Sequence, residues 1–138
     1  MKKELMDRSE RRVMEKFWSM AEGEALSVSD LEQLFQGEKI SKVSIFKAVQ
    51  ALSEKEYIRI ASLERAGMVY ARKFEPAITK EAYAAILLAD SGIRSSSLGS
   101  LALAMIGNDR DDRPDACKDE LLIRDLEQVI AKLRNGEV

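Results

Sequence analysis

The chain contains no histidine, a single cysteine (Cys117) and two prolines. Without histidine it lacks the side chain most used for general-base catalysis, for hydroxyl–imidazole triads and for imidazole metal ligation. One thiol cannot build a metal quartet or an internal disulfide, and Cys117 reads as a small side chain near a helix start. No G-x-G-x-x-G or P-loop occurs, and "AEGEA" and "ERAG" read as ordinary turns. The carboxylates of "DRDDRPD" fall in a polar break between helices, which suits a solvated loop. These absences argue against an enzyme, a cofactor and a metal. The opening "MKKELMDRSE" has no apolar run after its lysines, and no stretch is long enough to span a membrane. With one cysteine, a reducing cytoplasm is the expected compartment.

The 138 residues are 46% hydrophobic and 33% charged, enough apolar material for a core and too much for a disordered chain. The formal net charge of −2 looks unsuited to nucleic acid, but the average conceals a segregation. Residues 1–38 carry six Lys or Arg against nine Asp or Glu; residues 39–80 carry nine against four, a balance of +5. Residues 81–105 carry one against two, and residues 106–138 six against nine. Basic charge gathered in one segment of an acidic chain is the footprint expected of a polyanion site.

Local signals give the order of elements. Asp7 with Glu10 forms a capping-box pattern ahead of Val13, Met14, Phe17 and Trp18, predicting a first helix over about 8–21. "LSV" can supply a short strand. Ser27 with Asp30 predicts a second cap and a short helix to about Gln36. Ser41 caps a third helix within "ISKVSIFKAVQALSEKEYI", whose Ile45, Ala48, Val49 and Leu52 fall on one side. Its other side is mixed, with Lys42, Val43, Ser44, Phe46, Lys47 and Gln50, and no carboxylate before Glu54. "YIRIASLERAGMVYARKF" then predicts a hairpin turning through "ERAG", with Arg65 at a basic tip. Three clustered helices and a hairpin are the order of a winged helix-turn-helix.

Beyond Pro76 the chain is helical again. Thr79 caps "KEAYAAILLADSG", "SSSLGSLALAMIG" follows, and a last helix from about Ala116 to Leu133 sets Leu122, Leu126, Val129, Ile130 and Leu133 on one stripe. So few residues make a poor isolated core, so the stripe is expected to pack against a second copy. The expected fold is mainly α with a small β-hairpin: a winged helix-turn-helix DNA-binding domain at 1–76 and a helical dimerisation domain at 77–138.

Taken together, "RRVMEKFW", "SKVSIFKAVQALSEKEYI", "FEPAITKEAY" and "SLGSLALAMI" followed by a leucine-rich helix resemble the penicillinase-repressor family of winged-helix transcription regulators, the BlaI, MecI and CopY type. The resemblance covers nearly the full length. It implies a homodimeric repressor on a pseudo-palindromic DNA operator, with the third helix in the major groove and the hairpin along the backbone. Ser41, Lys42, Val43, Ser44, Phe46, Lys47, Gln50 and Arg65 are then the candidate DNA contacts. Lysines would meet phosphates or guanine edges, Gln50 an adenine or phosphate, and Val43 or Phe46 a thymine methyl. The chain departs from the family in having Ser44 for a common Thr, Ala51 for an Arg, and Lys55-Glu56 for a Lys-Gly helix exit. It also lacks the cysteine cluster of the copper-responsive branch. Ala104-Met105 stands about where the β-lactam-responsive branch has its cleavable bond, which makes a regulatory protease a candidate partner. The rival reading is a winged-helix protein-interaction module or a ligand-responsive regulator; an acidic or broadly apolar third-helix face would mark an interaction module.

Overall fold

A computed structural model describes residues 4–66, 69–108 and 116–136. Among these residues the fold is mainly helical, with six α-helices and one antiparallel two-stranded hairpin. The chain divides into two compact units, Met1–Ile93 and Arg94–Val138.

In the first unit α1 spans Arg8–Trp18, α2 Val28–Leu34 and α3 Lys42–Glu54; β1 spans Ile58–Ala66, β2 Val69–Pro76 and α4 Lys80–Asp90. Side-chain oxygens start each helix by satisfying a backbone N–H that has no partner inside the helix. Asp7 accepts from the Glu10 N–H at 2.8 Å, Ser41 from Ser44 at 3.1 Å and Thr79 from Ala82 at 3.1 Å. Ser27 and Asp30 form the full reciprocal box, at 3.1 and 2.9 Å. The box predicted at Asp7 is only half made, because the Glu10 carboxylate is engaged elsewhere. It accepts from Lys55 Nζ at 2.6 Å.

Val13, Met14 and Phe17 of α1, Leu31 and Phe35 around α2, and Ile45, Ala48, Val49 and Leu52 of α3 form the core with Tyr57, Ile58, Phe74 and Tyr83. The helical spacing of these residues is why the three helices cluster. α1 ends at Trp18, three residues short of the expected end, where the Ser19 hydroxyl donates to the Lys16 carbonyl at 2.8 Å. α3 leaves through a Schellman arrangement: Tyr57 N–H donates to Leu52 O at 2.9 Å and Glu56 N–H to Ser53 O at 3.1 Å. Glu56 takes the left-handed position, with φ of 64°. α4 closes in the same way but with Gly92 at that position, φ 90°.

The hairpin differs from the expected one in three respects. β1 continues through Ala66, so Arg65 lies within the strand opposite Tyr70 and not in a turn; residues 67–68 lie outside the described residues. Ala61 is an extra residue on β1, between the Ile60–Phe74 and Ser62–Lys73 pairs. Ile60 is half exposed although its partner Phe74 is buried, whereas Ile58 is buried. The strand anticipated at "LSV" is a single bridge, Leu26 to Phe74, whose two hydrogen bonds measure 2.9 and 2.8 Å.

The sequence reading divides the chain after residue 76, whereas the compact units divide after Ile93. α4 belongs to the first unit because Tyr83 is buried, its ring set edge-on to Tyr57 at 5.3 Å and its hydroxyl accepting from Met6 N–H at 2.8 Å. Trp18 Nε1 donates to Ile78 O at 2.9 Å and ties the approach to α4 against α1.

In the second unit a 3₁₀ turn, Ser95–Ser97, leads into α5, Leu98–Asn108; α6 spans Ala116–Asn135. Among the described residues of this unit none is buried. Leu126 and Val129 are half-buried, whereas Leu122, Ile130 and Leu133 are exposed. The side chain of Cys117 lies outside the described residues.

Two expectations concern stability. The Glu10 carboxylate raises the Lys55 ammonium above the usual lysine range, and burial raises the Tyr57 phenol. Both folded-state values lie above the unfolded ones of about 10, so the stability they supply is complete below that pH and lost as pH rises through the folded values. Urea unfolding followed by Trp18 fluorescence should show a falling free energy above about pH 10. Lys55→Met, which leaves a buried carboxylate unpaired, should cost about 2–3 kcal/mol at pH 7 and flatten that fall; an equally steep fall in the variant would assign it to other groups. Glu56→Gly should stabilise by about 0.5 kcal/mol, since relief of the left-handed strain exceeds the added unfolded-state entropy; equal or lower stability would show that the Glu56 side chain offsets its backbone strain.

Candidate functional site

Among the nine cations of the basic segment, Lys55, Arg59, Lys73 and Lys80 face carboxylates within the first unit. Lys55 pairs with Glu10 at 2.6 Å, Arg59 with Glu75 at 2.9 Å, Lys73 with Glu64 at 2.7 Å and Lys80 with Glu15 at 3.0 Å. Lys73 also lies 3.6 Å from Asp30, which is held below the usual carboxylate range mainly by the Ser27 N–H. Lys42, Lys47 and Arg72 make no ion pair among the described residues. The segment's positive charge is thereby sorted by position.

Lys42 and Lys47 stand on the exposed side of α3 with Val43, Phe46 and Gln50. Positions four apart on a helix share a side, so Lys42, Phe46 and Gln50 form one row and Val43 and Lys47 an adjacent one. Val43 is 62% and Phe46 56% exposed, so both stand on the surface of the unit. Ser41 caps the helix and its hydroxyl donates to Ser44 Oγ at 2.9 Å; Ser44 is half-buried at the margin. The helix is held from both ends. At its C-terminus Lys55 reaches Glu10, and ahead of its N-terminus Glu38 accepts from Lys16 at 2.8 Å while Arg12 donates to Lys39 O at 3.0 Å. Lys16 and then Arg12 hold the Glu38 carboxyl below its usual range.

Beside this helix runs a cleft of about 520 Å³, with Phe46, Val49 and Gln50 on one wall and Tyr70, Arg72 and Phe74 on the other. Glu54, the last residue of α3, also lines it. Tyr70, Arg72 and Phe74 alternate along β2 and so share a face. Directly opposed residues share that face too, which adds Arg65 across from Tyr70 and Leu63 across from Arg72. This face contains no carboxylate. The opposite one carries the Arg59–Glu75 and Lys73–Glu64 pairs and is internally neutralised.

The candidate DNA contacts of α3 are therefore brought together on one surface, and Arg65 lies on the hairpin face that continues it. Tyr70 and Arg72 were missed by sequence reasoning. Their signal was the period-two relation to the apolar Phe74, legible only once the strand's register is known. The dimerisation candidates Leu122, Leu126, Val129, Ile130 and Leu133 form a stripe on α6 in the other unit. Ala104 and Met105 lie inside α5 with their side chains exposed. A group of metal-ligating side chains does not occur among the described residues, and no described helix is long and apolar enough to cross a membrane. No family model matches the chain, and no curated protein matches it.

A bond within a helix reaches a protease only after the helix opens, so cleavage in α5 should follow its local stability. Gly99 and Gly107 lie in α5 and a Cβ at either meets nothing within 4 Å. Replacing both by Ala should add about 1–2 kcal/mol of helix propensity and slow thermolysin cleavage within α5 roughly tenfold. An unchanged rate would mean that the bond is cut without helix opening.

Proposed function

We propose that the protein is a DNA-binding transcriptional regulator, a homodimeric repressor of winged helix-turn-helix type that occupies a pseudo-palindromic operator. The observation that carries this reading is the two-sided character of α3. One side is fixed in the core by Ile45, Ala48, Val49 and Leu52, and the other presents Lys42, Lys47 and Gln50 with no carboxylate before Glu54. A rigid, acid-free helix face of this kind supplies phosphate contacts through its ammonium groups and base-edge hydrogen bonds through its amide. The first three helices and the hairpin follow one another in the order a winged helix requires. The C-terminal stripe supports the dimer, since a unit with no buried residue among those described leaves its apolar side chains in water until a second copy covers them. Release by proteolysis at Ala104-Met105 remains part of the proposal, with the opening of α5 as its first step.

A second reading has one observation in its favour. Val43 and Phe46 on α3 and Tyr70 on β2 are all more than half exposed, an apolar content that would also suit a protein partner. Ionic strength separates the two readings. Binding to duplex DNA releases condensed counterions, so log K falls with log salt at about −0.9 per phosphate contact. Lys47→Ala should flatten the slope by about 1–2 units, because each substitution is present in both protomers, and should weaken all sequences alike. Gln50→Ala should relax preference at one position per half-site by about 1–3 kcal/mol. Titrations on duplexes selected from genomic fragments check both; if neither slope nor preference moves, α3 is not the reading element. Leu126→Asp should yield a monomer in sedimentation at micromolar concentration, since it would bury an unpaired charge at the interface. A surviving dimer would place the contact elsewhere.

A further inference from the structure

We infer that the cleft between α3 and β2 seats one sugar–phosphate strand of the bound duplex, with Arg72 gripping a phosphate and Phe46 and Tyr70 packing on the deoxyribose. The inference rests on the DNA-binding reading above and adds to it a second, largely salt-independent source of affinity.

Three observations lead to it. Arg72 is exposed and free of any ion pair among the described residues, while its strand neighbour Lys73 is held by Glu64 and Asp30. Its sheet face, shared with Arg65 and Tyr70, has no carboxylate, and across one cleft it meets the side of α3 whose one carboxylate is the terminal Glu54. Phe46 and Tyr70, 56% and 67% exposed, stand on opposite walls above the buried Phe74. An anion alone would call for the arginine and not for the rings; an apolar partner would call for the rings and not for the arginine. A nucleic-acid backbone presents both chemistries in alternation, charged phosphate and C–H-rich sugar. A guanidinium meets a phosphate through two parallel N–H donors, which an ammonium cannot reproduce. Glu54 fixes the polarity of the cleft, since its carboxylate repels phosphate from the end of α3.

The separate roles have separate signatures on a mixed-sequence duplex of about 25 base pairs, titrated against the full-length protein over a range of NaCl concentrations. Arg72→Ala should flatten the salt slope by about 0.9 for each protomer engaged. Arg72→Lys should keep most of the slope and still bind severalfold more weakly. Phe46→Ala and Tyr70→Ala should weaken binding severalfold at every salt concentration with the slope unchanged. Glu54→Gln should strengthen binding. Unchanged thermal melting of each variant excludes a folding defect. If the wild-type protein binds no duplex, the DNA-binding reading falls and this inference with it. If the wild type binds and Lys47→Ala flattens the slope while the Arg72, Phe46 and Tyr70 variants match the wild type, the reading stands and the cleft is not a backbone seat. Loss of slope, and not only of affinity, on removing either ring would also overturn the division of roles.

Discussion

A carboxylate that is 5% exposed must have a cation, and Lys55 is the cation that Glu10 has. The 2.6 Å contact joins the first turn of α1 to the residue that terminates α3, and much of the first unit is arranged to permit it. The left-handed Glu56 turns the chain immediately after Lys55, so that Tyr57 enters the core instead of extending the helix. Lys55 Nζ also donates to Leu5 O at 3.1 Å, the Tyr57 hydroxyl donates to Glu4 O, and Tyr83 accepts from Met6. Residues 4–6 are thus pinned by the end of α3, the entry to β1 and α4. The pair does more for geometry than for net energy, since a well-packed apolar pair is often as stable as a buried ionic one. It ties the C-terminal end of α3 to the first turn of α1.

Ion pairing within the unit also decides which charges remain for a partner. Composition locates a basic segment, but charge counted along the chain does not distinguish a lysine that neutralises its own fold from one that faces outward. Pairing removes Lys55, Arg59, Lys73 and Lys80 from the account and leaves Lys42, Lys47 and Arg72 around α3 and the inner hairpin face. The surface field near α3 is accordingly more positive than a total of −2 suggests, and a field of this kind acts on encounter rates and on polyanion affinity.

Features set by neighbours in sequence were legible in advance. The caps at Ser27, Ser41 and Thr79, the two sides of α3, and the hairpin's existence depend on residues within a turn or two, and their signals are local. Glu10 shows the limit of that reasoning: its spacing from Asp7 spells a capping box, but a lysine 45 residues away claims the carboxylate. The same limit explains Arg65, whose "ERAG" context reads as a turn while strand pairing carries β1 through it. Tyr70 and Arg72 needed the register, and the burial of Tyr83 needed the N-terminal segment to be in place. The α6 stripe was visible as a pattern, but a helix's periodicity shows which side is apolar and not what that side faces.

The additional residue at Ala61 has a consequence for solubility. Among the described residues β1 has a neighbour on one side only, and Ile60 and Leu63 are exposed along it. An open strand with apolar side chains is a template on which other chains can add and aggregate. A bulge interrupts the even spacing of backbone donors and acceptors and increases local twist, so an incoming straight strand cannot pair along the whole edge. Arg59, Glu64 and Arg65 place charges on either side of the interruption, where a growing stack of like strands would have to bring identical charges into line.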